Sequence, residues 1–380
     1  MSTVGSATRL RWVCVAAGVA SVVGAVAVAP TALRLVESAL DPYDAVAPRT
    51  LIARALASGR VAHEGVAQAR GSLGLPDLPR LDEAPALLGE TTRMRVWWSS
   101  SSAWRVDTIT ANGETGTYGL GSDTVVWDFE ESELTTIVGA DGVRLPRAED
   151  LLPPQVARRV LDWVGADDRV EVLPDKWVAG RTAAGVRAVS ADPRSTIGHV
   201  DTWLDPKSGL PLEVHVVNTD GRDALVSTYL DVDLRDPAAE VLVPPAPSGV
   251  DRDWTSTPDI AAAIDERAPW LLPETLTGLP VSRSVAEGTA TYGLGMVRFT
   301  VLPLPPQLAD DVLRSSVAAG AAAFEVTGGD AALVRSNVLN GLVVRADDRQ
   351  HAYVLAGFVT PKTLETAAAE LLADPPRRRV

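Results

Sequence analysis

The sequence is poor in the residues that build covalent or metal-held scaffolds. It has 380 residues and a single cysteine, Cys14. One cysteine cannot close an intrachain disulfide, so a stapled fold is excluded. The four histidines (His63, His199, His215, His351) show no metal-ligand spacing, which argues against a zinc enzyme. Lysine occurs only three times, and the net charge is −14. Binding nucleic acid without sequence preference needs a positive surface that displaces counterions. Docking on an anionic bilayer through a basic face needs the same sign. Neither fits. Phosphate-cradling loops are missing too. Gly293-Leu294-Gly295 runs on into Met296, Val297 and Arg298, so G-x-G-x-x-G is not completed, and no P-loop occurs. The serine run Ser99–Ser102 lacks the G-x-S-x-G elbow of hydrolases. The expectation is a protein that is not an enzyme and carries no cofactor and no metal.

What is present is a globular composition, 46% hydrophobic and 22% charged. At about 150 residues per domain, the length allows roughly two domains. The one strongly apolar run is Trp12–Leu33, preceded by Arg9 and Arg11. It is close to the roughly 20 residues that cross a bilayer. The arginines place a short N-terminus, residues 1–11, in the cytoplasm and the bulk of the chain outside. A single-pass anchor on the cell membrane is expected. Ala25-Val26-Ala27 and Ala27-Val28-Ala29 also fit a signal-peptide cleavage site, although Pro30 hinders the second. Anchor and cleaved signal both stay open. The first 40 residues hold Arg9, Arg11, Arg34 and Glu37, so the acidic excess lies in the exported part.

Residues 34–48 read as a tether with Pro42 and Pro48. A short helix is predicted over Thr50–Ser58. Strand patterns then dominate: Val61–Arg70, Arg93–Trp98, Ala103–Thr110, Thr115–Leu120, Thr124–Glu130 and Leu134–Val138. Asn112-Gly113 is a strong hairpin signal. Pro153–Val164 reads as an amphipathic helix with Val156, Val160, Leu161 and Val164 on one stripe. Strands resume at Trp177–Ala179, Val186–Ala191, His199–Leu204, Leu212–Asn218 and Leu225–Asp231. Residues 251–275 read as a linker after Pro244-Pro245-Ala246-Pro247. The segment 276–374 reads as a small α+β domain, with helices at Pro306–Ala322 and Pro361–Ala373. The tail is 375–380.

The hairpin Trp203–Val216, WLDPKSGLPLEVHV, carries a resemblance. A strand ending in Asp-Pro, a turn ending in Gly-Leu-Pro and a returning strand are similar to the hairpin of the lipoprotein-carrier (LolA-like) superfamily. The pattern most resembles periplasmic negative regulators of envelope-stress sigma factors, the RseB/MucB type. The helix LIARAL leading into Val61-Ala62-His63-Glu64-Gly65, and the later strand Ser227–Val232, agree with it. The likeness spans residues 49–250. It implies an α+β fold: a strongly bent antiparallel half-barrel sheet with helices on its concave face, followed by the small C-terminal domain. It implies a lipid or apolar-peptide ligand, and a membrane partner such as an anti-sigma factor. A lipid or lipoprotein carrier of the cell envelope is the alternative on the same scaffold. Tyr353–Leu372 resembles small extracytoplasmic domains that follow such regions.

The chain has 10 Trp against 4 Phe. Trp97, Trp98, Trp104, Trp127 and Trp203 fall on predicted strands and are the candidate ligand-lining residues. Ordinary core packing is the competing reading. Adjacent Trp97 and Trp98 must face opposite ways, because strand side chains alternate. Asp128, Glu130, Glu131 and Glu133 form an acidic cluster, read as a solvated turn in preference to a Ca²⁺ site. His199 and His215 are expected to approach each other across the Asp205–Gly209 turn. Arg158-Arg159 could meet an acidic partner, with a solvated helix face as the default. His63 and His351 are assigned no role.

Overall fold

The computed structural model describes residues 47–73, 88–109, 113–139, 146–245, 250–256, 270–283 and 289–377. The apolar run at 12–33 and its flanks at 1–11 and 34–46 lie outside the described residues. No helix among the described residues is long and apolar enough to cross a membrane.

The fold is α+β, with two sheets and few helices. The first sheet has twelve strands: β1 His63–Gly71, β2 Thr91–Ser100, β3 Ala103–Ile109, β4 Glu114–Leu120, β5 Asp123–Asp128, β6 Glu133–Val138, β7 Arg169–Val178, β8 Arg181–Val189, β9 Ile197–Leu204, β10 Pro211–Asn218, β11 Asp223–Asp233 and β12 Asp251–Ser256. Their order is β12-β6-β5-β4-β3-β2-β1-β11-β10-β9-β8-β7. Two antiparallel meanders therefore meet where β1 pairs with β11. The sheet is open, with β12 and β7 at its ends.

Helices α1 (Pro48–Ala57) and α2 (Pro153–Leu161) pack together on one face of this sheet. Both start with proline at the first helical turn, where its missing N–H costs nothing. The alternation of buried positions shows which side they cover. Ala67 and Ala69 of β1, Met94, Val96 and Trp98 of β2, and Val214 and Val216 of β10 join one core with Leu51, Ala55, Val156, Val160 and Leu161. A strand residue directly opposite another shares its face, so the pairing register extends this assignment across the sheet.

The second sheet has eight strands in the order β13-β14-β15-β16-β20-β19-β18-β17. They are β13 Thr275–Leu276, β14 Leu279–Arg283, β15 Ala290–Tyr292, β16 Phe299–Pro303, β17 Ala322–Val326, β18 Gly329–Val334, β19 Asn340–Ala346 and β20 Ala352–Gly357. Helix α3 (Pro306–Ala318) lies on one face, and α4 (Pro361–Ala373) lies on the other. Leu342, Val344, Tyr353 and Leu355 pack with α4, whereas Val343, Val354 and Ala356 pack with α3.

Several segments differ from their sequence reading, and two of them have a plain local cause. Residues 251–256, read as the start of a linker, form β12 and pair in parallel with β6. Asp251, Arg252, Asp253 and Ser256 give no apolar signal, because an edge strand needs no buried face. The helix expected to reach Ala322 stops at Ala318, and Gly320 takes φ +96°. That left-handed conformation favours glycine and closes helix ends. Ala322 then opens β17.

Candidate functional site

Strand register decides what each tryptophan can do. His63 pairs with Trp98, and Trp98 pairs with Trp104. All three point to the helix-covered face. The Trp98 and Trp104 rings stack at 5.7 Å and 9°. His63 stacks on Trp98 at 6.4 Å, and Tyr229 of β11 meets His63 edge-on at 5.5 Å. Gly119 lies opposite Trp104, and a Cβ there would sit 2.1 Å from the indole nitrogen. Glycine at that position lets the indole lie flat on the sheet.

This aromatic row has one polar seam. His63 Nδ1 lies 2.8 Å from the Val61 carbonyl, and Nε2 lies 2.7 Å from the Tyr229 hydroxyl. A carbonyl only accepts, so Nδ1 carries the proton and Nε2 accepts from the Tyr229 O–H. Burial holds the His63 imidazole down to about 4, against the opposing pull of the Val61 carbonyl. It is neutral at pH 7. Burial also pushes the Tyr229 phenol far up. The seam is an uncharged hydrogen-bonded pair inside an apolar surface.

Trp97, Trp127 and Trp203 turn to the opposite face. The five candidate tryptophans are therefore not one lining. Arg105 lies over Trp97 at 4.8 Å and over Tyr118 at 5.1 Å, and its guanidinium forks onto Asp107 at 2.7 Å. The exit segment Ala239–Leu242 crosses there, with the Val241 carbonyl 3.5 Å from Arg105. Trp127 packs with Tyr118, Val125, Leu134 and Val250. These are packing contacts of the face opposite the helices, where the buried Trp127 indole N–H has no hydrogen-bond partner among the described residues.

Trp203 belongs to a charged group around Glu213. Lys176 lies over its ring at 4.7 Å, and its indole N–H donates to the Pro174 carbonyl at 3.1 Å. The Glu213 carboxylate accepts from Lys176 at 2.5 Å and from His215 at 2.6 Å. Burial pushes Glu213 up, but these two hydrogen bonds outweigh it and hold the carboxyl at about 2. Burial pulls His215 down, and Glu213 with Asp223 more than reverse it, so His215 is raised. His215 pairs in register with Asp201, while His199 pairs with Val217. The two histidines share a face: His199 lies 3.8 Å from Asp201, and Asp223, 3.2 Å from His215 Nδ1, acts electrostatically on His199 as well. Asp128 of the acidic cluster caps its turn, accepting the N–H of Glu130 at 2.9 Å and of Glu131 at 3.0 Å. No group of His, Cys, Asp or Glu is placed to hold a metal among the described residues.

The covered face leads directly into the second module. Trp163 follows α2 by two residues and is buried. Its ring meets Phe358 at 5.2 Å, and Arg298 lies over it at 4.6 Å. Burial lowers the Arg298 guanidinium to about 10. Around this stack the backbones are joined. Thr196 N–H donates to the Phe358 carbonyl at 3.1 Å, and Thr360 N–H donates to the Arg194 carbonyl at 2.9 Å. Asn337 N–H donates to the Leu73 carbonyl at 3.1 Å, and Asn218 bonds the Asn337 side chain at 2.5 Å. The aliphatic core is continuous across the junction, from Leu161 to Leu302, Leu308 and Val354.

No family model matches the chain. No curated protein matches it either. Solved structures do. The chain is similar to MucB in the Pseudomonas aeruginosa MucA/MucB complex, at 18% identity over 88% of this chain and 99% of that one, with a TM-score of 0.47. MucB in complex with periplasmic MucA gives 17% identity, coverage of 85% and 97%, and a TM-score of 0.45. A LolA-superfamily protein from Nitrosomonas europaea gives 14% identity over 53% of this chain and 99% of that chain, with a TM-score of 0.24.

Proposed function

We propose that this chain is a membrane-anchored extracytoplasmic regulator. Its large sheet acts as a bent half-barrel that takes an apolar ligand, a lipid or a peptide, against the helix-covered face. Its second module contacts a membrane partner such as an anti-sigma factor. The hairpin at Trp203–Val216 and the apolar run after Arg9 and Arg11 support this reading.

One observation carries the mechanism. Helix α2 covers the candidate ligand face, and two residues beyond it Trp163 is clamped by Arg298 and Phe358 of the second module. A ligand that enters beneath α1 and α2 must move α2, and α2 is tied to the module junction. The ligand then shifts partner affinity to the extent that it prefers one arrangement over the other. The aromatic pair Trp98 and Trp104 offers the apolar surface, with the His63–Tyr229 seam as the polar handle.

The test is to cross-link the full-length protein in native membranes, purify it and identify proteins and lipids by mass spectrometry. A single-span protein with a cytoplasmic sigma-binding domain, released on adding lipid or peptide extracts, is the expected result. Partner binding indifferent to every extract removes the ligand switch. Lipids or lipoproteins without such a partner, together with a mature N-terminus near Val28, point to an envelope carrier instead.

A further inference from the structure

Among the described cations, Arg158 is the one whose charge acts on both members of the His63–Tyr229 pair. It projects from α2, and its neighbour Arg159 pairs with Asp150 at 3.2 Å. Arg158 has no carboxylate partner among the described residues. Its one side-chain hydrogen bond goes to Gln155 on the same helix, at 2.5 Å. The guanidinium lies against Gly59, where a Cβ would sit 2.1 Å from one of its terminal nitrogens. That glycine leaves the berth open. Burial and then the charge of Arg159 both pull the Arg158 proton affinity down. An arginine nonetheless keeps its charge.

The surroundings show what the charge lacks. Arg158 is near enough to His63 and Tyr229 to act on both electrostatically. The Tyr229 proton is committed to His63, so the hydroxyl oxygen offers Arg158 only a neutral acceptor. Beyond them lie the stacked Trp98 and Trp104. A half-buried cation without a counter-charge is costly, and a planar guanidinium with free N–H donors matches a carboxylate or phosphate.

We propose that Arg158 receives the anionic head of an amphiphile, a carboxylate or phosphate, whose apolar tail lies toward the Trp98–Trp104 stack. This rests on the ligand-binding reading above and names the ligand class within it. Free small anions are disfavoured as occupants. The chain is net acidic by 14 charges and repels them, so an apolar tail is needed to bring the charge in.

The experiment titrates the full-length protein with laurate, with dodecanol of the same chain length, and with inorganic phosphate, following tryptophan fluorescence. Wild type is expected to bind laurate about tenfold or more tighter than dodecanol, the ratio a charge-assisted hydrogen bond supplies. Arg158→Gln should abolish that preference and leave dodecanol affinity unchanged. Arg158→Lys should restore part of it, keeping the charge but losing the fork. Gly59→Ala, which closes the berth from the other side, should weaken laurate alone and guards against a folding defect in Arg158→Gln. Equal binding of laurate and dodecanol by wild type overturns the proposal but leaves the apolar-ligand reading standing. So does full laurate affinity in Arg158→Gln. Binding of neither amphiphile removes both. Phosphate that binds alone at the same site as tightly as laurate also overturns the proposal, because the tail would then be irrelevant.

Discussion

A neutral imidazole between two aromatic rings makes His63 the residue whose chemistry is most constrained by its surroundings. Its folded-state value near 4 lies below the ordinary 6.5. Above pH 6.5 it is neutral folded or unfolded, and its contribution to stability is complete. As the pH falls from 6.5 toward 4, the unfolded chain takes up a proton that the folded chain refuses. Stability is lost through that window by roughly 3 kcal/mol, and no more is lost below it. His199, also lowered by burial, acts in the same sense, whereas raised His215 loses its contribution as the pH climbs above 6.5. Urea midpoints measured between pH 6.5 and 4.5 should therefore fall steeply in the wild type and much less in His63→Phe. An unchanged slope in the variant would show that another group titrates. The sequence gives no warning of this role. His63 looks like any polar residue on an alternating strand, and only the β1–β11 and β1–β2 pairings put Trp98 and Tyr229 on either side of it. The tryptophans were legible by type, and the opposite facing of Trp97 and Trp98 by periodicity. That Trp127 and Trp203 face away from Trp98 depends on register across several strands, which no local pattern encodes.

Among the elements, α2 does the most with the fewest residues. Its nine residues cover β9, β10 and β11, touch α1, and end beside the junction tryptophan. Its amphipathic stripe and initial prolines were readable in the sequence, as were the starts of α3 and α4 at Pro306 and Pro361. The Asp205–Gly209 turn was readable as well: Asp205 accepts the Lys207 and Ser208 N–H groups, and Gly209 takes φ +74°. Exposed edges were not readable. Strand β7 starts at Arg169, well before the expected Trp177, because Arg169 to Trp177 alternates without a buried face. Leu161 at the end of α2 is 1% exposed in the shared core. Leu161→Ala should cost about 2–5 kcal/mol, the range for emptying a packed leucine site. Chemical denaturation reads this directly, and a loss within experimental error would mean that α2 is not packed down. Such looseness would itself favour a helix that lifts to admit a ligand.

For the whole molecule, the junction decides whether two sheets make two independent domains. Sequence organisation suggests two, with a change of character after Pro247. The packing argues for one cooperative unit. The core containing Leu51 and Val160 of the first module also contains Leu308, Val312 and Val354 of the second, and Ser195 bridges to Val359. Trp163 is its keystone by position, buried between Phe358 and Arg298. Calorimetry of the full-length protein should show one transition, with equal calorimetric and van't Hoff enthalpies. Trp163→Ala should remove about 3–5 kcal/mol and split the trace into two. If the variant still melts as one unit, the backbone ties at Thr196, Asn337 and Thr360 hold the modules together without the indole. A ligand signal would then have to pass through those loop contacts, and α2 would lose its place as the lever. If the trace splits, the same substitution should leave partner affinity no longer responsive to ligand. Loss of coupling at unchanged basal affinity would assign the signal to the route from α2 through Trp163.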